Sequence, residues 1–408
     1  MTPFGIAGIQ MNLHHGNNVD SIAERIDVLM SLYPWVEMVI VSELAAHGPL
    51  HSYAEPMPGV TEQRFCEVAR KHNIWLVPGS FFELADNAVF NTAPVINPQG
   101  EVIARHRKLF PFCPFEEGIE AGDEFVVFDV PGAGRFGLCI CYDMWFPEVL
   151  RTLTSMGAEV ILHPVLTGTN DRDIELNLAR SSGALFQSYI IDINGLGVGG
   201  VGQSCIVDPA GRVVHQAGET NEFLVTELDF DLVRRQREVG LRNLGQPLKS
   251  FRDSKIEFTV YNKEQRTSGY LNSLGTLQKA TRIDKTKIAP APDLLAQPLA
   301  NLSSIAPTDS VTSPNDSDND LMTSVHIEPL LSAKSQPRLA SEPAEMDAVV
   351  NRQNDNESSC VKAGEESNNE ETHPQPTTDS EKAHSGVEKK DDGWFKRAVS
   401  QLGQPSKS

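Results

Sequence analysis

Three side chains in this sequence have the types and settings that a catalytic site with a cysteine nucleophile requires. Cys141 follows the apolar run 137–140, and Pro147 soon begins a helix, so the sequence predicts a thiol exposed at a strand end. A cysteine nucleophile needs a nearby base or cation, because an ordinary thiol is mostly protonated at neutral pH. Glu43 and Lys108, each at the end of another predicted strand, are the candidates for these two groups.

Each of these residues also has a structural explanation when it is taken alone. A glutamate or lysine at a strand end is most often solvated, but the three residues together, in this order, are harder to explain in that way. Histidine is the usual partner of a catalytic cysteine, and His163 ends a predicted strand. Its setting favours a substrate-positioning pocket wall or a hydrogen-bonded core histidine over a catalytic role.

Short strands alternate with helices over the first 260 residues. The predicted strands cover 4–10, 38–41, 74–79, 88–96, 101–107, 125–130, 136–141, 159–163, 189–194, 203–208, 212–216 and 223–228. Helices are predicted over 19–32 and 61–72, and from Pro147 to Gly157. Helices alternate with most of these strands, but some consecutive strands are joined as hairpins. This pattern predicts an α/β sandwich with mixed sheets instead of a doubly wound fold.

The composition changes abruptly after about residue 262. No Phe, Tyr or Trp occurs from Leu271 to Gly393, and such a segment cannot bury enough apolar surface to become ordered. We therefore expect a globular domain over 1–260, a C-terminal extension over 261–290 that could form a dimer arm, and a disordered acidic linker over 291–390. A short amphipathic helix is predicted over 391–408, where it could dock into a groove of an unknown partner protein.

The formal net charge of −20 argues against partners such as nucleic acid or an anionic membrane surface. No window approaches the roughly 18 apolar residues of a membrane span, and the first residues lack the pattern of a secretory signal. The six cysteines show no disulfide-framework spacing, which predicts a reduced, cytoplasmic setting. The pairs Cys139/Cys141 and His47/His51 lack further ligands or a helix to align them, so we expect no metal site.

The three strand ends together resemble the motifs of the nitrilase superfamily of carbon–nitrogen hydrolases, over roughly residues 4–255. Val41-Ser42-Glu43 is similar to the first glutamate motif of that family. Arg107-Lys108 and the following residues up to Glu116 are similar to its lysine and second glutamate. The stretch from Gly137 to Glu148 is similar to its cysteine motif. The resemblance implies an α-β-β-α sandwich, frequent assembly into homodimers or larger homo-oligomers, and no metal or organic cofactor.

The same resemblance implies a role for each matched residue. Cys141 would attack the carbonyl of an amide, and Glu43 would carry protons between the thiol, the leaving amine and the hydrolytic water. Lys108 and the backbone N–H of Tyr142 would stabilise the oxyanion. Glu116 would hold Lys108 and the substrate in position.

The residues after the cysteine predict an amide substrate instead of a nitrile, because amide-cleaving members often carry a Tyr-Asp pair there, as Tyr142-Asp143 does here. Two further signals disagree. The stretch 108–116 resembles aliphatic amidases and formamidases, whereas 143–148 resembles N-carbamoylputrescine amidase. A small linear amide that releases ammonia is therefore predicted, with an N-carbamoyl amine as the alternative. A hypothesis of another class is a pseudoenzyme or scaffold that acts through its C-terminal tail.

Overall fold

Two β-sheets pack face to face in the computed structural model, which describes residues 3–266 and 269–279. The strands are β1 (Phe4–Gln10), β2 (Asn12–Leu13), β3 (Met38–Val41), β4 (Trp75–Val77), β5 (Phe81–Ala85), β6 (Ala88–Ile96), β7 (Val102–Arg107), β8 (Ile119–Glu120), β9 (Val126–Val130), β10 (Gly134–Leu138), β11 (Val160–Val165), β12 (Tyr189–Asn194), β13 (Leu196–Gly197), β14 (Gly200–Val201), β15 (Cys205–Val207), β16 (Val213–Gln216) and β17 (Glu222–Leu228). The helices are α1 (Val19–Leu32), α2 (Val60–His72), α3 (Pro147–Ser155), α4 (Arg172–Phe186), α5 (Phe230–Val239), α6 (Pro247–Arg252) and α7 (Lys263–Arg266).

The first sheet has the strand order β17-β1-β3-β4-β6-β5, with β7 and β8 also paired to β6. The second sheet has the order β16-β15-β12-β11-β10-β9, and a small third sheet joins β14, β13 and β2. In both large sheets the central strands run parallel, β1-β3-β4 in one and β10-β11-β12 in the other, while antiparallel strands flank them. The prediction of a mixed-sheet sandwich is confirmed.

Three apolar layers separate the four layers of secondary structure. Side chains of both sheets, including Ile6, Ile40, Leu138 and Leu162, form the central core. A second cluster lies between the first sheet and helices α1 and α2, and a third lies between the second sheet and helices α3 and α4. Because helices cover the outer face of each sheet, strands such as β3 are buried on both faces and consist of apolar residues without alternation. The architecture is therefore the α-β-β-α sandwich.

Some elements differ from the sequence-based expectation. The strand predicted to reach Cys141 ends at Leu138, and the chain then turns. Helix α4 was not predicted, because it buries the polar residues Arg172, Glu175 and Ser182, which break the apolar periodicity that marks a helix. Strand β5 and helix α5 were also missed.

The chain after α5 contributes little buried surface in the described part. Helix α6 and the 3-10 turn Thr259–Tyr261 contain no buried residue, and the short elements α7 and Gly269–Leu274 follow them. The predicted linker over 291–390 and the predicted helix over 391–408 lie outside the described residues, as does most of the second half of the extension over 261–290. Among residues 3–266 and 269–279, no helix is long and apolar enough to cross a membrane.

Candidate active site

The loop between β10 and α3 presents Cys141 in an unusual backbone conformation. Cys141 begins a 3-10 helix (Cys141–Trp145) with φ +46°, a left-handed conformation that residues other than glycine rarely adopt. The buried carboxylate of Asp143 fixes this turn: its Oδ2 accepts a hydrogen bond from the Ile140 amide at 2.9 Å, and its Oδ1 accepts one from the Phe110 amide at 2.8 Å. Hydrogen bonds from neighbouring residues therefore hold Cys141 in a strained backbone conformation. Such strain is frequent at functional sites.

Glu43 lies where β3 of the first sheet meets β11 of the second. Its amide donates to the carbonyl of Val165 at 3.2 Å, so the backbone of the two sheets is joined at this point. Its side chain is 2% exposed, and Oε1 accepts hydrogen bonds from Lys108 Nζ and from Asn91 Nδ2, both at 2.8 Å. The interaction with the Cys141 thiol is one of the effects that lower the pKa of this carboxyl group. The candidate base and the candidate nucleophile therefore lie close together.

Lys108 lies just beyond the end of β7, and its backbone is held on both sides. Its amide donates to the Asn91 carbonyl at 2.8 Å, and its carbonyl accepts from the Gly122 amide at 2.8 Å. Its ammonium group donates to Glu116 Oε2 at 2.7 Å as well as to Glu43. Lys108 therefore bridges the two glutamates, and because its side chain is only 1% exposed, water screens these ion pairs little.

The loop after Lys108 contains Glu116 and several aromatic side chains, and one of its aromatic rings lies next to Tyr142, the neighbour of Cys141. Glu116 Oε2 accepts a second hydrogen bond, from the Phe112 amide at 2.5 Å. The ring of Tyr142 lies 4.9 Å from that of Phe112 and 5.2 Å from that of Phe146, measured between centroids. The amide of Tyr142 lies in the first turn of the 3-10 helix, where an N–H group has no partner within the helix and can donate to another group.

His163 is fully buried and lies against the backbone of Cys141. Its Nε2 is 2.9 Å from the carbonyl oxygen of Cys141, and its Nδ1 is 2.9 Å from Asp192 Oδ2. Because His163 has no exposed surface, it contacts the backbone of Cys141 and not an open cleft. Of the two alternatives predicted for His163, its position is that of a hydrogen-bonded core histidine, and a role in positioning the substrate stays a prediction.

Burial and neighbouring charges set the protonation states of the site. Burial raises the pKa of the Glu43 carboxyl, although the Lys108 ammonium opposes this effect. Burial also raises the pKa of the Cys141 thiol well above its usual value, and the charge of Glu43 adds to that shift. Burial alone would lower the pKa of Lys108, but the charges of Glu43, Cys141 and Glu116 outweigh it and raise the pKa well above normal. The resting site therefore holds a neutral thiol beside a lysine cation.

Asn91 is a functional candidate that the sequence analysis missed. It lies on β6, is fully buried, and donates to Glu43 through its side chain while its backbone carbonyl accepts from Lys108. The available signal was the polar pair Asn91-Thr92 inside a strand that is otherwise apolar over much of its length. Asp192, which holds His163, was missed for the same reason, since it too is a polar residue within a buried strand.

Comparisons with known proteins agree with this geometry. The family model described as carbon-nitrogen hydrolase matches residues 7–238. The omega-amidase NIT2 of Mus musculus is 30% identical over 196 residues, which cover 44% of this chain and 70% of that protein. The (R)-stereoselective amidase of a Pseudomonas species is 26% identical and covers 56% of this chain and 86% of its own length. The crystal structure of Nit3 from Saccharomyces cerevisiae, a member of branch 10 of the nitrilase superfamily, has a TM-score of 0.54 and 27% identity, covering 58% of this chain and 93% of that one.

The family match extends over more than half of the chain and includes the region of all four residues Glu43, Lys108, Glu116 and Cys141. The chain belongs to the carbon–nitrogen hydrolase family, in the amidase-like branch of the nitrilase superfamily.

Proposed function

We propose that this chain hydrolyses the carbon–nitrogen bond of a small linear amide through a thioester at Cys141 and releases ammonia. The observation that carries the proposal is the buried arrangement in which Lys108 bridges Glu43 and Glu116, with the Cys141 thiol close enough for Glu43 and Lys108 to influence its pKa. A nucleophile, a proton carrier and a cation for the oxyanion are thereby within reach of one carbonyl group.

In the first half of the reaction, Cys141 Sγ attacks the carbonyl carbon and the thiol proton moves to Glu43. The raised pKa of the thiol favours transfer of this proton during attack over a pre-formed thiolate. The carbonyl oxygen becomes negative and accepts hydrogen bonds from Lys108 Nζ and the Tyr142 amide. When the carbon–nitrogen bond breaks, Glu43 returns the proton to the nitrogen, and ammonia leaves behind a thioester.

In the second half, water attacks the thioester and gives a proton to Glu43, and the oxyanion forms again beside Lys108. The carbon–sulfur bond then breaks, the thiolate takes the proton back from Glu43, and the carboxylic acid is released. Both halves need a carboxyl group that gains and loses a proton near neutral pH. The raised pKa of Glu43 brings this group towards that range.

The relatives named omega-amidase and amidase support an amide as the substrate. The alternative of an N-carbamoyl amine rests on the resemblance of residues 143–148 described above.

A screen of ammonia release over formamide, short aliphatic amides, ω-amides, carbamoyl amines and nitriles tests the proposal. We expect turnover of an amide by the unmodified chain and none by Cys141→Ala. Cys66→Ala, a half-buried cysteine on α2, is the matched control and keeps full turnover. Mass spectrometry of acid-quenched enzyme should show the acyl group on Cys141. Equal turnover by Cys141→Ala would overturn the proposal. If the unmodified chain released ammonia from none of these compounds, the hypothesis of a scaffold that acts through its tail would be favoured.

We also propose that the chain forms a homodimer or a larger homo-oligomer in the cytoplasm. The outer face of α4 leaves Ile174 and Leu185 about half exposed in the single chain, at 48% and 54%. The five cysteines in the described part of the chain are all free, as a reducing compartment requires. Light scattering after size exclusion measures the assembly, and a monomeric mass would contradict this part of the proposal.

A further inference from the structure

Both ring nitrogens of His163 face groups that can only accept hydrogen bonds. Nε2 lies 2.9 Å from the backbone carbonyl oxygen of Cys141, and Nδ1 lies 2.9 Å from the carboxylate of Asp192. A neutral imidazole carries one N–H group and one bare nitrogen, so it can serve only one of these two partners. An imidazolium carries two N–H groups and serves both.

Asp192 is itself held as a carboxylate. Arg172 on α4 forms a buried ion pair with its other oxygen, Oδ1, and also donates to the carbonyl of Gln203 at 2.9 Å. The opposing charge of Arg172 and the hydrogen bond from His163 hold the pKa of Asp192 below its usual value although burial would raise it. The proton between His163 and Asp192 is therefore bound to Nδ1 of the imidazole ring, and Asp192 is ionised.

The titratable groups of the network around His163 and Asp192 lie on neighbouring strands and on α4. Asp192 faces it from β12, Arg172 and Glu175 face the same network from α4, and Cys205 on β15 contributes a neutral thiol. Glu175 pairs with Arg172 at 3.2 Å. Burial alone would lower the pKa of His163, but Asp192 outweighs it, and the pKa is raised. Two carboxylates thus balance the arginine and the imidazolium.

We propose that His163 is a buried imidazolium and a positioning residue, whose Nε2–H group holds the carbonyl of Cys141 and thereby fixes the left-handed backbone that aims the nucleophile. Asp192 and Arg172 anchor the ring from behind. The role assigned to His163 rests on the proposed reaction at Cys141, whereas its protonation state does not. Above the pKa of His163 the ring loses one of its two N–H groups. The bare ring nitrogen then faces either the Asp192 carboxylate or the Cys141 carbonyl oxygen, and two acceptors in contact repel each other. The positioning is therefore complete at low pH and is lost as the pH rises through that pKa.

The protonation state is measured by ¹⁵N NMR of the full chain with labelled histidine. The His163 signals are assigned by their loss in His163→Gln. At pH 7 we expect both ring nitrogens of His163 to be protonated, in the unmodified chain and equally in the inactive Cys141→Ala variant. This readout needs no substrate and no turnover. A neutral ring with one bare nitrogen would overturn the inference even if the enzyme proves to be an amidase.

The positioning role is tested with two substitutions at Asp192. Asp192→Ala removes the anchor, and we expect kcat to fall about 100-fold with KM little changed, because a nucleophile displaced by about 1 Å loses roughly that factor. Asp192→Asn can donate its amide to a neutral ring, which keeps Nε2–H on the Cys141 carbonyl. The kcat of Asp192→Asn should therefore lie within a few-fold of that of the unmodified chain. NMR should show one unprotonated ring nitrogen of His163. The decline of kcat/KM at alkaline pH that deprotonation of His163 causes in the unmodified chain should be absent.

The matched controls are Asp27→Ala and Asp27→Asn, which alter the pair of His72 and Asp27 on the surface of α1 and α2. Neither should change kcat or the pH profile. If Asp192→Asn shows the same alkaline decline as the unmodified chain, or if it is as impaired as Asp192→Ala, the positioning role is wrong. If the unmodified chain releases no ammonia while its His163 is doubly protonated, the proposed function fails and the protonation state stands.

Discussion

The substitution Asn91→Ala tests whether Glu43 is the base, without touching the nucleophile or the lysine. Asn91 Nδ2 donates to Glu43 Oε1 at 2.8 Å, and both side chains are buried. A hydrogen bond of this kind favours the ionised form of the carboxyl group. Its removal should therefore raise the pKa of Glu43 further above the usual value, where burial already holds it. Since the base must be ionised, the acid limb of kcat/KM should move to higher pH.

The size of the shift follows from the strength of one hydrogen bond to a charged group. Such bonds contribute about 1.5–3 kcal/mol, and about 1.4 kcal/mol corresponds to one pKa unit. Water that enters the space left by the amide would replace part of the bond, so we expect the lower end, about one pH unit. At pH values above the acid limb, where Glu43 is ionised in both proteins, kcat/KM of Asn91→Ala should stay within about tenfold of that of the unmodified chain. Cys141 and Lys108 remain in place in this variant.

The assay is a pH profile of kcat/KM by ammonia release, with the free energy of unfolding measured by urea at each end of the range. Asn177→Ala is the matched control, because that exposed side chain on α4 makes one hydrogen bond, to the carbonyl of Asp173 at 2.8 Å. Its profile should coincide with that of the unmodified chain. An acid limb that stays in place, or moves to lower pH, in a folded Asn91→Ala protein would refute the assignment of Glu43 as the titrating base.

Three further substitutions probe the lysine cation, the turn at Cys141 and the close approach of Gly79 to the backbone of Ser42, which precedes Glu43. Lys108→Met should lower kcat/KM by at least about 100-fold, measured by ammonia release, because it removes the cation beside the oxyanion; activity within tenfold of normal would contradict that role. Asp143→Ala should lower the free energy of unfolding in urea by about 2–4 kcal/mol, because it leaves two backbone amides without their acceptor; a change below about 1 kcal/mol would contradict the argument. Gly79→Ala should lower Tm far more than Gly132→Ala. Both residues have φ +81°, but only at Gly79 would an added Cβ clash, because it would lie 1.8 Å from the carbonyl oxygen of Ser42. Equal Tm values for the two variants would refute this argument.

The fold and the family could be predicted largely from sequence, because both depend on local patterns. Continuous apolar runs such as Met38–Val41 mark strands that are covered on both faces, and the sandwich they predict is confirmed. The prediction failed where polar residues are buried, as in α4, since a periodicity of apolar residues cannot register Arg172 and Glu175 as inward-facing. The change of composition after about residue 262 also predicts that the domain covers residues 1–260, and this boundary stays a prediction.

The sequence by itself determined which residue types are available for the chemistry, because Glu43, Lys108 and Cys141 each follow a strand whose pattern is local. Only the tertiary structure decided how they meet: Lys108 reaches Glu43 across 65 positions of sequence. It also decided the protonation states, since these depend on burial and on charges from distant elements. The left-handed turn at Cys141 and its contact with His163 belong to this second group, because the partners come from neighbouring strands whose alignment no single stretch of sequence encodes.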